Sequence, residues 1–339
     1  MTKTIAAAST GKAEIFSFGD PDSVVGGRDL WSYFEMYRNG DWYEPPLPMV
    51  NLGQSLNMTA HHRGAIALKV NLLTKHFIPS AQFGRMDFER WAMDFLQMGN
   101  AFVERRDNMA GRIKQILHSP SVHTRVGIDP DIFWFIKRNS GEDYHRFEQG
   151  KVFHILQPEP LQEVYGIPEW ISALQSGLLN ENATLFRRRY YKNGAHAGFV
   201  FYVSEPLADP KTVENLKARL QSAKGVGNFK NMFVNIPGGK KDGIQIMPIA
   251  DVVAKDEFSN IKNITRDDML AAHRVPPQLI GIIPQNNGGF GDVGKATDIF
   301  YSNEIEPIII RMLAINDWAG APVLQFKDYE KQSGDNPAK

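Results

Sequence analysis

The chain has 339 residues, no cysteine, and 38 basic against 38 acidic side chains, so its formal net charge is zero. The absence of cysteine excludes disulfides and zinc–thiolate sites, and the lack of a basic excess argues against tight, static DNA binding through phosphate contacts. Hydrophobic residues make up 42% of the chain, which is enough for a substantial core.

The first 28 residues are rich in small and polar residues and lack hydrophobic periodicity, so we interpret them as a flexible N-terminal arm without a secretory signal. A run of aromatic residues follows and leads into Pro-Pro-Leu-Pro at 45–48. This aromatic segment either docks on another subunit or packs onto its own domain. The candidate subunit contacts are Trp31, Tyr33, Phe34, Trp42 and Tyr43.

Two amphipathic helices and a set of strands are predicted next. Thr59 is a suitable N-cap for a helix that runs to Phe77, and Asp87 for a second helix that a left-handed Gly99 ends. Short apolar runs separated by turns then predict antiparallel strands between residues 100 and 156. We therefore expect the first half of the chain to be an α+β domain.

A long helix is predicted from Pro168, placed at the first helical position, to Lys192. Its rise of 1.5 Å per residue gives a rod of roughly 37 Å. The helix ends in a basic cluster, Arg187, Arg188, Arg189 and Lys192. Two interpretations of this cluster stay open, namely contact with phosphates and compensation of the helix dipole on a solvated face.

Residues 195–250 are predicted to form a small α/β insertion after this helix. Strands are expected at 199–203, 232–236 and 244–247, with a helix at 210–223. The turn between the last two strands carries Lys240 and Lys241, which are candidate contacts with a partner.

The last quarter of the chain is predicted to be two helices around a glycine-rich loop. The first helix restarts at Thr265, which resembles a capping box with Asp268, and it ends at Pro276-Pro277. The second helix starts near Val293 and is kinked by Pro307. The loop between them is suited to rearrangement, because glycine adopts positive φ without strain, and its candidate functional residues are Gln285, Asn286, Asn287, Gly288, Gly289, Phe290 and Gly291.

No catalytic, metal or cofactor site is predicted. Residues 289–295 match half of a phosphate-binding P-loop, but Ala296 stands where the magnesium-binding hydroxyl belongs, and no buried strand precedes the glycines. His61 and His62 point about 100° apart on a helix and lack a suitably spaced carboxylate, so a surface or packing role is preferred for both. Two alternative functions are considered, a P-loop-like ATPase and a DNA-binding assembly protein.

The sequence resembles the portal proteins, or head–tail connectors, of P2-like tailed bacteriophages, in the larger family that includes PBSX-type portals. The resemblance extends over nearly the whole chain after the N-terminal arm. It rests on the following motifs in this order: VYGIPEW at 164–170, FRRRYYKNGAHAGF at 186–199, KGVGNFKNMF at 224–233, PGGKKDGIQIMPI, KDEFSNIK, AAHRVPPQLIGI, GGFGDVGKA, and FYSNEIEP at 300–307.

This resemblance implies an α+β, portal-type subunit. The implied parts are an N-terminal arm at 1–28, an α/β wing at 29–165, a first stem helix at 166–194, a small α/β clip at 195–250, a second stem helix at 251–275, a tunnel loop at 276–293, a kinked helix returning to the wing at 294–320, and a short strand and flexible tail at 321–339.

The resemblance also implies the partners and the location. Copies of the chain would form a ring, typically a dodecamer, at one capsid vertex of the virion, after assembly in the host cytoplasm. Double-stranded DNA would pass through the ring without sequence-specific contacts. The implied protein partners are the terminase large subunit, the scaffold and major capsid proteins, and the head-completion or tail connector proteins. No membrane contact and no cofactor are expected.

Overall fold

The computed structural model describes residues 37–137, 144–192, 199–203, 244–248, 254–282 and 292–331. Within these ranges helices and strands are mixed. The α-helices are α1 (Met49–Ser55), α2 (Ala60–His76), α3 (Arg85–Met98), α4 (Leu174–Lys192), α5 (Ala254–Ala272), α6 (Val293–Phe300), α7 (Glu306–Met312) and α8 (Ala314–Ala319). Short 3₁₀ helices span Glu169–Ala173 and Pro277–Ile280, and a π-helical turn spans Tyr301–Ile305.

The strands are short and all of their pairings are antiparallel. They are β1 (Tyr37–Asn39), β2 (Trp42–Glu44), β3 (Phe77–Ile78), β4 (Asn100–Asp107), β5 (Ile113–Ser119), β6 (Thr124–Val126), β7 (Phe133–Ile136), β8 (Tyr144–Arg146), β9 (Val152–Leu156), β10 (Phe199–Val203), β11 (Ile244–Pro248) and β12 (Gln325–Phe326). The larger sheets have the orders β5-β4-β9 and β6-β7-β8.

The main core lies between the β5-β4-β9 sheet, helices α2 and α3, and the C-terminal helices. Phe77 at the end of α2 stacks on Phe88 of α3, with ring centroids 4.1 Å apart. From the other end of the chain, Ile305 and Met312 are fully buried in the same cluster. The last part of the chain therefore completes a core that the first part begins, and β12 pairs with β3 beside it.

A second apolar cluster joins the β6-β7-β8 sheet to the start of α4. Trp170, Tyr165 and Phe102 are its largest fully buried side chains. The Tyr165 hydroxyl donates to the Tyr43 carbonyl oxygen at 2.6 Å and accepts from the Val126 amide at 3.0 Å. The hydrogen bond from Tyr165 to Tyr43 connects the β1–β2 hairpin to this cluster.

The local signals at helix ends were confirmed where the cap interacts within its own helix. Thr59 caps α2 by accepting from the His62 amide at 3.0 Å, and Gly99 ends α3 with φ 68°. The prediction for Asp87 was wrong, because α3 begins at Arg85 and Asp87 lies in its first turn. Its carboxylate instead accepts from the His118 amide of β5 at 3.1 Å.

Two further boundary predictions were wrong. Pro168 precedes a 3₁₀ turn instead of opening the α-helix. Thr265 does not restart a helix, because α5 runs unbroken through it. Just before Pro307, where a kink is predicted, a π-helical turn spans Tyr301–Ile305, and Pro307 lies in the first turn of α7, where its missing amide costs little. No helix in the described ranges has the length and hydropathy to cross a membrane.

Candidate functional site

Helices α4 and α5 form an antiparallel pair held by two side-chain hydrogen bonds. Asn180 on α4 donates to the Thr265 hydroxyl on α5 at 2.7 Å, and the Ser176 hydroxyl donates to Asp268 at 2.7 Å. Asn180 and Thr265 are both buried. The polar residue that resembled a cap in the sequence is thus a contact between two helices, and its hydroxyl also donates to the Ile261 carbonyl oxygen at 2.6 Å.

Gly177 allows the helix pair to pack closely against the rest of the molecule. A Cβ atom at this position would lie 2.6 Å from the Met58 sulfur and 3.1 Å from the terminal carbon of Met269. The buried residues of α4 end at Ala183, and Thr184, Leu185 and the next residues whose side chains are described are exposed. The pair is therefore anchored at one end, and its other end leads along the chain towards the antiparallel strands β10 and β11.

Two buried histidines lie at the anchored end of the pair. His62 of α2 and His273, just after α5, approach to 2.9 Å, and the other ring nitrogen of His62 is 3.0 Å from the Gln97 side-chain oxygen. The Gln97 oxygen only accepts, so His62 carries its proton on Nε2 and His273 donates to His62 Nδ1. The Trp170 indole also donates to the Gln97 carbonyl oxygen at 2.9 Å.

The protonation of these histidines is opposed by their surroundings. Burial lowers the pKa of His62 to about 4. Burial together with the nearby His62, Lys69 and Arg274 lowers the pKa of His273 to about 2. The packing role preferred for His62 from the sequence is confirmed by its full burial.

An ion-pair network centred on Glu304 lies beside the histidines. Glu304, in the π-helical turn, pairs with Lys69 of α2 at 3.2 Å and with Arg274, and the two side chains of the Lys69 pair are only 3% and 9% exposed. Arg274 also pairs with Glu169 in the 3₁₀ turn that precedes α4. Burial lowers the pKa of Lys69, and the Glu304 carboxylate opposes that shift.

The network closes the base of the segment that carries the glycine-rich loop. Arg274 precedes this segment and Glu304 follows it, so their ion pair joins the two ends. Arg274 adopts φ 53°, which is uncommon for a residue other than glycine. Reasoning from the sequence missed this network because Lys69 and Glu304 are 235 positions apart and each lies in an ordinary helical pattern.

The predicted basic contacts of α4 are described only in part. Arg187 and Arg188 are exposed. Arg189 and Lys192 lie in the same helix, but their side chains are not among those that the structure describes.

The described members of the aromatic segment pack on their own chain. Trp42 has its ring centroid 5.8 Å from that of Trp134 and 5.6 Å from that of Tyr144. Tyr43 packs on the second apolar cluster. Trp42 and Tyr43 therefore pack onto their own domain, and each keeps some exposed surface.

Several predicted site residues lie outside the described residues. They are Trp31, Tyr33, Phe34, Lys240, Lys241, Gln285, Asn286, Asn287, Gly288, Gly289, Phe290 and Gly291. The predicted arm at 1–28, the helix at 210–223 and the strand at 232–236 also lie there, whereas the strands at 199–203 and 244–248 are confirmed as an antiparallel pair.

The second part of the half P-loop match, from Asp292 to Lys295, forms a regular helix start. Asp292 caps α6 by accepting from the Lys295 amide at 2.9 Å, so that amide is already used within the chain. Among the residues that the structure describes, no group of three or more His, Asp or Glu side chains could hold a metal ion.

Comparison with known proteins points to one family. Residues 78–324 match the family model described as "Phage portal protein". The "Probable portal protein" of Escherichia phage P2 is 44% identical over 322 residues, covering 95% of this chain and 93% of the relative. The "Probable portal protein" of Haemophilus phage HP1 (strain HP1c1) is 34% identical over 273 residues, covering 80% of this chain and 79% of the relative.

Solved structures of the same fold have low sequence identity to this chain. A chain of the virion of a native gene transfer agent particle matches with a TM-score of 0.60 and 19% identity, covering 86% of each chain. An HK97 family phage portal protein from Corynebacterium diphtheriae matches with a TM-score of 0.56 and 14% identity, covering 81% of this chain and 94% of the other.

Proposed function

The chain belongs to the phage portal protein family, and from this premise we propose that its copies form a ring at one vertex of a tailed-phage capsid, through which double-stranded DNA enters and leaves. The match of the family model to residues 78–324 carries this proposal. The ring is proposed to be a dodecamer. A relevant parallel is the neck of a native gene transfer agent particle computed with C12 symmetry, one of whose chains shares the fold with a TM-score of 0.58.

The charge and the helix pair support a conduit. Affinity for DNA rises with each phosphate that a protein neutralises, so a strongly basic surface would hold DNA in place. The formal net charge of zero avoids that outcome. In this proposal α4 and α5 are the two stem helices, and residues 195–250 are the clip, whose Lys240 and Lys241 contact partners. Arg187, Arg188, Arg189 and Lys192 would touch phosphates transiently.

The proposed partners follow from the same role. The terminase large subunit would dock during packaging, scaffold and major capsid proteins during assembly, and head-completion proteins afterwards. The proposed subunit contacts remain Trp31, Tyr33, Phe34, Trp42 and Tyr43. The protein would act in the virion, after assembly in the host cytoplasm, and would have no enzymatic activity of its own.

Electron microscopy of the purified protein tests the proposal. We expect rings with a central hole. Compact particles without a hole would contradict the portal role. ATP turnover that is abolished by Lys295→Ala would support the alternative of a P-loop-like ATPase.

The loop at 285–291 is proposed to narrow the channel and contact DNA. Replacing Asn286, Asn287 and Phe290 together by alanine should leave the rings intact and reduce the DNA retained in filled heads, because the contacting side chains are removed. The measurement is the DNA content of particles assembled with the variant. Met109→Ala, in an exposed turn, is the matched control and should leave DNA content unchanged. Normal filling with the triple variant would contradict the channel role.

A further inference from the structure

The α4–α5 pair has two flanks that carry different residues. The contact between the two helices determines which residues lie on each flank. Asn180 of α4 and Thr265 of α5 are in contact. Successive residues of an α-helix point about 100° apart. Leu179 and Glu181, on either side of Asn180, therefore point to opposite flanks of the helix pair. Likewise Ile264 and Arg266, on either side of Thr265, point to opposite flanks.

The helices are antiparallel, so the residues that precede the contact position on each helix fall on one common flank. Leu179 and Ile264 therefore form a ridge on the same flank and at the same height. Leu179 is 49% exposed and Ile264 is 61% exposed. We call this pair the ridge.

The opposite flank carries a groove between α1 and α4. Leu174, Leu178 and Glu181 line it from α4, and Glu181 places it on the flank opposite Leu179. The lining combines apolar side chains with amide side chains, a hydroxyl and the Glu181 carboxylate. The remaining lining residues are Asn51, Leu52, Gln54, Ser55, Asn57, Met58 and Trp170.

The ridge and the groove lie at the same height along the helix pair, with the acidic Asp268 beside the ridge and the basic Arg63 at the rim of the groove, which Glu181 also lines. Met58, in the groove, packs on Gly177, less than one turn from Leu179. On the ridge flank Asp268 bonds to Ser176, and at the groove rim Arg63 donates to Asn57 at 2.6 Å. Arg63 and Asp268 are both exposed, and neither forms an ion pair with another described residue.

Resting on the ring assembly proposed above, we propose that the Leu179–Ile264 ridge of one copy occupies the groove between α1 and α4 of the next copy, with Asp268 facing Arg63 across the contact. Such a contact joins two different surfaces, so it is heterologous and repeats from copy to copy. The two surfaces lie on nearly opposite flanks, so each copy is turned only slightly from its neighbour. A ring of many copies closes in this way, whereas a two-fold dimer would need a surface that meets itself.

Cross-linking tests this assignment cleanly because the natural chain has no cysteine. The variant Ile264→Cys/Gln54→Cys carries one thiol on each flank, and Leu179→Cys/Asn57→Cys is an independent second pair. With a short bifunctional thiol reagent, each double variant should give a ladder of covalent oligomers, from the dimer up to the full ring, on a denaturing gel. Each single-cysteine variant should remain monomeric on that gel.

The other outcomes separate the surface assignment from the ring itself. Dimers from a single-cysteine variant would show a surface meeting itself and overturn the proposal. Rings in the microscope without a ladder from either pair would overturn the assigned surfaces and leave the ring in place. A cross-link within one chain, or a groove filled by this chain's own first residues, would also overturn it. Absence of rings from the natural protein would instead contradict the proposed function.

A charge exchange tests the polar part of the contact. Arg63→Glu and Asp268→Arg, each alone, should lower the fraction of assembled chain by about tenfold at a fixed concentration, because like charges then face each other. The two substitutions together should restore assembly. A purely local loss, such as that of the Ser176 bond, would not be rescued by the change at Arg63. Failure of the double variant to recover, when both single variants fold, would overturn the Arg63–Asp268 contact.

Discussion

Glu304→Ala is expected to destabilise the chain by about 3–5 kcal/mol. The substitution leaves the Lys69 ammonium buried without its partner, and only 3% of that side chain reaches solvent. A buried charge that has lost its partner keeps its desolvation cost without the compensating attraction. Arg274 contributes less to the loss, because its side chain is 52% exposed and can be hydrated. Urea unfolding followed by tryptophan fluorescence measures the change.

Two variants show whether the loss comes from the unpaired charge. Lys69→Met/Glu304→Leu removes both charges and should restore most of the stability, because an apolar pair of similar size replaces the ion pair. Glu306→Ala removes an exposed carboxylate two positions along the chain and should change the unfolding free energy by no more than about 0.5 kcal/mol. A double variant as unstable as Glu304→Ala would contradict the explanation.

Acidification from pH 7 to pH 5 is expected to cost about 2 kcal/mol of unfolding free energy for each of three histidines, the buried His62 and His273 and the partly buried His154. The folded pKa is about 4 for His62, about 3 for His154 and about 2 for His273, and burial is the main cause in each case. Between pH 7 and pH 5 these histidines therefore bind protons in the unfolded chain but remain neutral in the folded chain. The stability is present above pH 6.5 and is lost as pH falls below that value towards the folded pKa values.

The geometry explains why no proton is accepted in the folded state. Protonating His62 Nδ1 would set two donors against each other across the 2.9 Å contact with His273. The His154 ring stacks on Phe102 at 4.2 Å and has one polar partner, the Asn100 side-chain oxygen. Urea unfolding at a series of pH values measures the effect. His154→Gln should flatten the slope below pH 6.5 by up to about 1.4 kcal/mol per pH unit, and an unchanged slope would contradict the account.

The features that could be predicted from the sequence depend on neighbours in the chain. Thr59 bonds to an amide three positions away, and Gly99 stops α3 through its own backbone angle. Adjacent strands around tight turns, such as β4 and β5, were predicted for the same reason. Family motifs extended this prediction to the α+β architecture, which the mixture of helices and strands confirms.

The features that could not be predicted depend on partners far along the chain. Thr265 has the local pattern of a cap, and only its contact with Asn180 shows that it faces another helix. Asp87 is used by β5 instead of its own helix. The π-helical turn places Glu304 against Lys69, and no local signal distinguishes a lysine that points into the core from one in solvent. The sequence therefore predicted elements better than the bonds between them.

The position of Arg274 has a mechanical consequence. A force on residues 283–291 would reach the rest of the molecule through the chain on either side of them, and the Arg274–Glu304 pair joins these two flanking parts. From there one path runs through Lys69 into α2 and the main core, and another through Glu169 to the start of α4. A load applied by moving DNA would thus be shared between both cores before it strains the hydrogen bonds of any single helix.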